Sequence, residues 1–316
     1  LGFPIANNSN PLRVAEELAM IDVISRGRLE MGFVKGVPYE VHPANSLPVR
    51  HTDRFWEAHD LIMKALTTHD GPFSWEGEFF QYRNVNVWPR PYQQPHPPVW
   101  ISANSVPSAR PIAMRGHVLG TVMTGYKAKD LFDEYRRAWT DSGRKGPVPF
   151  DRLCYAGFVG VGATREEGRR RGDMVMEYLR TNAIVGEAFK NPPGFIPALP
   201  AARMVKKTGK MMFMSHDLFT KDGRNLGAFS EADLQCSVDG GLMFTGTPDD
   251  VYEQMVDFYE TVGGFGHFLM MAQAGRMSYK DTADNITLFA KEVLPRLKDY
   301  TRARAKSWGI PERAVA

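Results

Sequence analysis

The sequence predicts an α/β fold in which parallel strands alternate with crossover helices. Three observations lead there. Short, nearly all-apolar runs recur along the chain, amphipathic helical stretches separate them, and the turns between are short. An open nucleotide-binding sheet is disfavoured, because the chain has neither a Gly-rich dinucleotide fingerprint nor a GxxxxGK[ST] loop. A sheet closed into a barrel is the expectation that remains.

The first helix is announced by Asn10-Pro11, an N-cap residue followed by the proline favoured at the first helical position. Val14, Leu18 and Ile21, with Ala15 and Ala19, form its apolar stripe, and Gly27 is its stop. Leu29 to Val34 reads as a strand buried on both faces. Thr52 and Asp53 open a second helix, with Phe55, Ala58, Ile62, Ala65 and Leu66 on one face. Val99 to Ala103 is a strand, followed by a helix opened by Ser105 and reaching about Arg115. A strand at Leu119 to Thr124, a helix at Ala128 to Thr140 and a strand at Leu153 to Val161 follow. Thr164 and Glu167 have the spacing of a capping box. Thr247-Pro248 opens another helix, Phe265 to Met271 is a strand, and Ser278 to Leu297 is a closing helix. Two segments break the rhythm. Gly71 to Pro98, rich in Pro, Trp and Tyr, reads as an ordered excursion. Asn191 to Gly246 mixes prolines, glycines and methionines and reads as an insertion, a lid or binding loop.

Bulk composition narrows the function classes. With 316 residues, 43% hydrophobic and 24% charged, the chain suits one large α/β domain or two modest ones. The net charge of +3 is spread out, and the densest run, Arg165 to Arg171, is interleaved with Glu166 and Glu167 as on a solvated helix face. Nucleic acid is therefore not an expected partner. Cys154 and Cys236 form no CxxC pair, which fits a reducing cytoplasm, and no apolar run approaches ~18 residues, so no membrane span is expected. There is no HExxH, no histidine–carboxylate set at metal spacing and no GxSxG elbow, so no metal is expected.

The stretch from Asn10 to Gly36, NPLRVAEELAMIDVISRGRLEMGFVKG, strongly resembles bacterial luciferase-like flavin-dependent monooxygenases. In that family a helix ending in D-x-x-S-x-G-R leads into barrel strand 4, whose end reads G-x-x-[RK]-G. Further stretches match in order: His51 to Phe55 resembles the start of helix 4, and Pro98 to Ser105 strand 5 with its phosphate turn. Gly246 to Asp250 and Phe289 to Leu297 are similar to later helices, so the resemblance covers nearly the whole chain. It implies a luciferase-like (β/α)8 TIM barrel. By this alignment Leu1 falls inside strand 3, so strands 1 and 2 are missing from this chain. Either about 70 residues precede Leu1 in the full protein or the chain is a fragment. A catalytic histidine of luciferase relatives falls in the missing part, so the catalytic residues are left unknown.

The resemblance also implies the site. Active sites of such barrels lie at the C-terminal strand ends. Lys35 follows strand 4 where the family has a phosphate-contacting base, and Arg54 stands where a family arginine reaches the phosphate with its planar fork. The competing readings are a solvated lysine and a surface ion pair of Arg54 with Asp53 or Glu57. Asn104, Ser105 and Ser108 form a turn at a helix N-terminus, suited to an anion, against ordinary N-capping. His51 and Phe55 resemble a pair that faces flavin in a sister branch, while Phe55 also fits its helix's core stripe. Asn8 would bond the isoalloxazine edge, or serve merely as a turn residue, and Gly2-Phe3 matches the site of a cis peptide under the flavin. Trp100, Tyr39, Met123 and the methionines of the insertion (Met211, Met212, Met214) are expected to line an apolar pocket, or to fill core.

The activity so implied is oxygenation of a small organic substrate with O2 and reduced FMN, supplied by a separate flavin reductase, in a homo-oligomer. The alternatives are hydride transfer with the deazaflavin F420, and a flavin-binding barrel without catalysis.

Overall fold

The computed structural model describes residues 2–7, 10–182, 192–208, 217–274 and 276–311. Contacts divide the chain into two compact units, one of Leu1–Ser102 with Val185–Phe213 and one of Ala103–Ile184 with Met214–Ala316.

The first unit is built on three parallel strands: β1 (Gly2–Pro4), β2 (Met31–Val34) and β5 (Val99–Ser102), with β2 between the other two. Helix α1 (Pro11–Ser25) links β1 to β2. Asn10 caps it by accepting the Arg13 amide, and the left-handed Arg26 (φ 55°) ends it. Of its predicted stripe, Val14, Ala15, Leu18 and Ala19 are each at most 1% exposed, while Ile21 is half-buried. α1 packs against α2 (His51–Thr67), whose stripe Phe55, Ala58, Ile62, Ala65 and Leu66 is likewise buried. α2 begins one residue earlier than expected. Arg50, at φ 57°, stands at its N-cap, and its guanidinium pairs with Asp53 and Glu78. The aromatic excursion after α2 contains an antiparallel hairpin, β3 (Phe73–Glu76) with β4 (Gln81–Val85).

The second unit is organised around β7 (Leu153–Val161), all nine residues of which are buried. Parallel to it run β6 (Val118–Val122), β10 (Met243–Gly246) and β11 (His267–Met271). Helices α3 (Val106–Met114) and α4 (Ala128–Asp141) pack together, and α5 (Arg165–Asn182) lies on β7 and β10. A Cβ at Gly168 would stand 2.3 Å from the Gly246 carbonyl oxygen, so α5 can approach β10 this closely only with glycine there.

Several expectations need correction here. The Arg165 to Arg171 run is not wholly solvated, since Arg171 is 1% exposed and donates to the Val161 carbonyl and to Glu167, with Asp281 and Asp284 beside it. A buried guanidinium persists only when paired in this way. The segment 191–246 holds regular structure among its described residues: α6 (Ala198–Thr208), a hairpin of β8 (Asp217–Phe219) with β9 (Asn225–Ala228), α7 (Leu234–Asp239) and the sheet strand β10. Met211, Met212 and Met214 lie outside the described residues. The closing helix is α9 (Tyr279–Leu288), a π-helical turn at Phe289–Val293 and α10 (Leu294–Ser307), preceded by α8 (Pro248–Thr261) with its Thr247/Asp250 capping box. The cis peptide bonds among the described residues are Trp88–Pro89 and Gln94–Pro95, so Gly2–Phe3 is trans. Only proline makes the cis form inexpensive.

Candidate functional site

The register of the first unit decides which residues meet. β1 pairs with β2 through Gly2↔Gly32, Phe3↔Phe33 and Pro4↔Val34. The chain leaves β1 through a turn over Ile5, Ala6 and Asn7, in which the Asn7 amide bonds the Pro4 carbonyl, and it leaves β2 as Lys35 and Gly36. Both are C-terminal strand ends, the face on which parallel α/β units carry their sites.

α2 brings two predicted residues to that edge. His51, 2% exposed, places Nε2 3.0 Å from the Lys35 carbonyl. A carbonyl only accepts, so Nε2 is the donor in this contact. Nδ1 makes no well-formed hydrogen bond among the described residues, although the Leu47 backbone lies near enough to exert some pull. Burial holds the His51 pKa below its ordinary value, and the charges of Lys35 and Arg54 act in the same direction. One turn on, Arg54 donates from Nε to the Ala6 carbonyl at 2.9 Å, and its guanidinium lies 4.5 Å from the centroid of Phe80. Burial lowers its pKa while Glu57 and Tyr82 oppose the shift. Of the two partners in the competing reading, Asp53 pairs with Arg50, and Glu57 acts on Arg54 through its charge.

Lys35 is not a solvated loop lysine. Its ammonium lies 4.9 Å from the Phe195 ring, which also contacts His51 with centroids 5.3 Å apart, and desolvation lowers its pKa. Lys35, His51 and Arg54 are thus brought to one edge. Phe55, 4% exposed, belongs to the core of α2, as the alternative reading had it.

Asn8 lies outside the described residues. Its neighbour Asn7, which sequence reasoning passed over, is 8% exposed, and neither Oδ1 nor Nδ2 finds a partner among the described residues. The amide lies against Gly36, where a Cβ would stand 2.5 Å from Nδ2 and 3.0 Å from Glu40 Oε2. Gly36 has φ 90°, a conformation that side chains other than glycine's adopt only with strain. Glu40 in turn accepts the Val37 amide at 2.9 Å. A polar group buried without a partner is costly, and such groups in native folds call for an explanation. The signal available in sequence was the Asn7-Asn8 doublet just before the Asn10 cap.

The second unit carries the other predicted residues. Asn104 Oδ1 accepts from the Thr121 hydroxyl at 3.0 Å and from the Val122 amide at 3.2 Å, which ties its turn to the end of β6. That oxygen is committed to the fold. Ser105 occupies the N-cap of α3 but makes no side-chain cap; its hydroxyl pairs instead with that of Ser108 at 2.6 Å. Pro107 supplies no N–H, and the Ser108 amide bonds the Ser105 carbonyl. The expected set of free backbone donors is therefore narrower than at most helix starts, and the paired exposed hydroxyls are its main polar feature. Next to the Thr121–Thr124 pair, Met123 has φ 60° and packs against two apolar clusters. In the first unit Tyr39 and Trp100 are half-buried. Among the described residues no cluster of His, Cys, Asp and Glu has the geometry of a metal site, and no helix is long and apolar enough to cross a membrane.

Known proteins resemble this chain in the same terms. Residues 2–264 match the family described as luciferase-like monooxygenase. The uncharacterized protein y4wF of Sinorhizobium fredii is 34% identical over 154 residues, 48% of this chain and 42% of that protein. The oxygenase component of flavin-dependent trigonelline monooxygenase from Acinetobacter baylyi is 32% identical over 106 residues, 32% of this chain and 28% of that protein. The matches span less than half the length of these curated relatives. Among solved structures, the oxygenating constituent of 3,6-diketocamphane monooxygenase of Pseudomonas putida, in complex with FMN, superposes with a TM-score of 0.65 at 20% identity, over 93% of this chain and 78% of that one. An F420-dependent secondary alcohol dehydrogenase superposes at 0.60 and 16% identity, over 90% and 74%. At such identities the solved structures attest the luciferase-like TIM-barrel fold, and the match over residues 2–264 settles the lineage: the chain belongs to the luciferase-like monooxygenase family.

Proposed function

We propose that this chain is the oxygenase side of a flavin-dependent monooxygenase, which uses reduced FMN from a separate reductase and O2 to oxygenate a small organic substrate. One observation of the site carries the reading furthest: Lys35, His51 and Arg54 converge, partly desolvated, at the C-terminal strand ends of a parallel sheet. The donor set fits FMN. Two desolvated cations suit a phosphate, because an anion restores the charge balance that burial disturbs. The unpartnered Asn7 amide beside them suits a neutral polar ring edge. In the second unit, taken by itself, the paired Ser105 and Ser108 hydroxyls are proposed as donors to an anion, while Asn104 acts by holding their turn to β6. The oxygenase component among the relatives supports a two-component arrangement.

Bound reduced flavin would supply the activation of dioxygen. The chain's own residues then have three tasks: to fix the cofactor, to keep water out, and to keep His51 neutral. The aromatic rings of Phe80 and Phe195 over the two cations serve the second task.

The F420-dependent neighbour supports a second reading, hydride transfer from a deazaflavin. Anaerobic titration of the protein with reduced FMN and with reduced F420, followed by admission of oxygen, separates the two. Tight FMN binding with oxygen uptake is expected; F420 binding without oxygen uptake would overturn the monooxygenase reading.

A further inference from the structure

Asn7 is more than nine-tenths buried, yet its carboxamide makes no hydrogen bond among the described residues. Its surroundings are nevertheless fixed. The Asn7 amide lies against Gly36, which has a positive φ and no Cβ to take the room that the amide occupies. Close by, the His51 ring is held on the carbonyl of Lys35, one residue from Gly36. The carboxamide offers one acceptor and two donors but no charge. It is therefore a poor partner for a phosphate, whose oxygens would face Oδ1. It is a good partner for an imide edge, where an N–H stands beside a C=O.

We propose that Asn7 reads the imide edge of the cofactor ring, Oδ1 accepting the ring N–H and Nδ2 donating to the adjacent ring carbonyl. The assignment rests on the flavin reading above. It divides the work of the first unit, with Asn7 recognising the ring and Lys35 and Arg54 the phosphate. It also explains why a polar residue is kept where an apolar one of similar size would cost the fold less.

The test compares Asn7→Leu with wild type by titrating FMN and riboflavin, which share the ring but not the phosphate, alongside thermal melts without ligand. Two net hydrogen bonds correspond to roughly 5- to 150-fold in affinity. Asn7→Leu should weaken FMN and riboflavin by the same factor in that range, and the unliganded variant should melt no lower than wild type. Asn7→Ala, which adds no bulk, repeats the titration if the leucine does not fit. Unchanged ring affinity in a wild type that binds FMN would overturn the Asn7 assignment alone. A clearly lower melting temperature with unchanged affinity would make Asn7 a structural residue. Failure of wild type to bind either ligand would overturn the flavin reading, and the assignment with it.

Discussion

Arg54 does two jobs in this structure, and replacing it by alanine tells them apart. In the protein alone, its Nε bond to the Ala6 carbonyl and its position 4.5 Å from the Phe80 centroid hold α2 to the end of β1. A hydrogen bond from a charged donor contributes about 1.5–3 kcal/mol, and a partly exposed cation–π contact about 0.5–1 kcal/mol. The site is half-buried, so Arg54→Ala should cost about 2–3 kcal/mol of stability, read as a shift of the denaturant midpoint. A contact with the cofactor phosphate would add about 1.5–3 kcal/mol to binding, roughly 10- to 150-fold. Isothermal titration with FMN and riboflavin isolates that second part, because loosening of the β1–α2 edge affects both ligands alike. The expected result is a loss of FMN affinity far exceeding that of riboflavin, with Arg54→Lys in between, since it keeps the charge but not the fork. Equal losses for the two ligands would refute the phosphate role and leave Arg54 as a tie between α2 and β1.

Two further outcomes follow from the same edge. Burial lowers the His51 pKa below 6.5, so between that lowered value and 6.5 the unfolded chain binds more protons than the folded one. Stability should rise with pH across this window and fall on acidification through it. Denaturant melts over a pH series should show His51→Gln lacking that component; an identical pH profile would remove the argument. Gly36→Ala combines a φ of 90° with a Cβ 2.5 Å from Asn7 Nδ2, and should cost about 1–3 kcal/mol in urea melts.

Local chemistry determined much of this protein before any contact was known. The Asn10-Pro11 start, the stripe from Val14 to Ala19, the strands at Met31–Val34 and Leu153–Val161 and the Thr247 cap are all set by residues within a turn or two of each other. Periodicity and capping act over such distances, so sequence reveals them. The roles of Lys35 and Arg54 as site candidates were legible because a family motif marks their positions. Their neighbours were not. Phe195 is 160 positions from Lys35, and no local pattern sets a ring over that ammonium. Asn7 looked like any loop asparagine; it is buried against Gly36, a residue 29 positions away. Arg171 read as one more solvated charge until the strand end at Val161 and the acids of α9 closed around it. Whether a polar group is buried, and what it then meets, depends on desolvation by distant segments, and only the tertiary structure decides that.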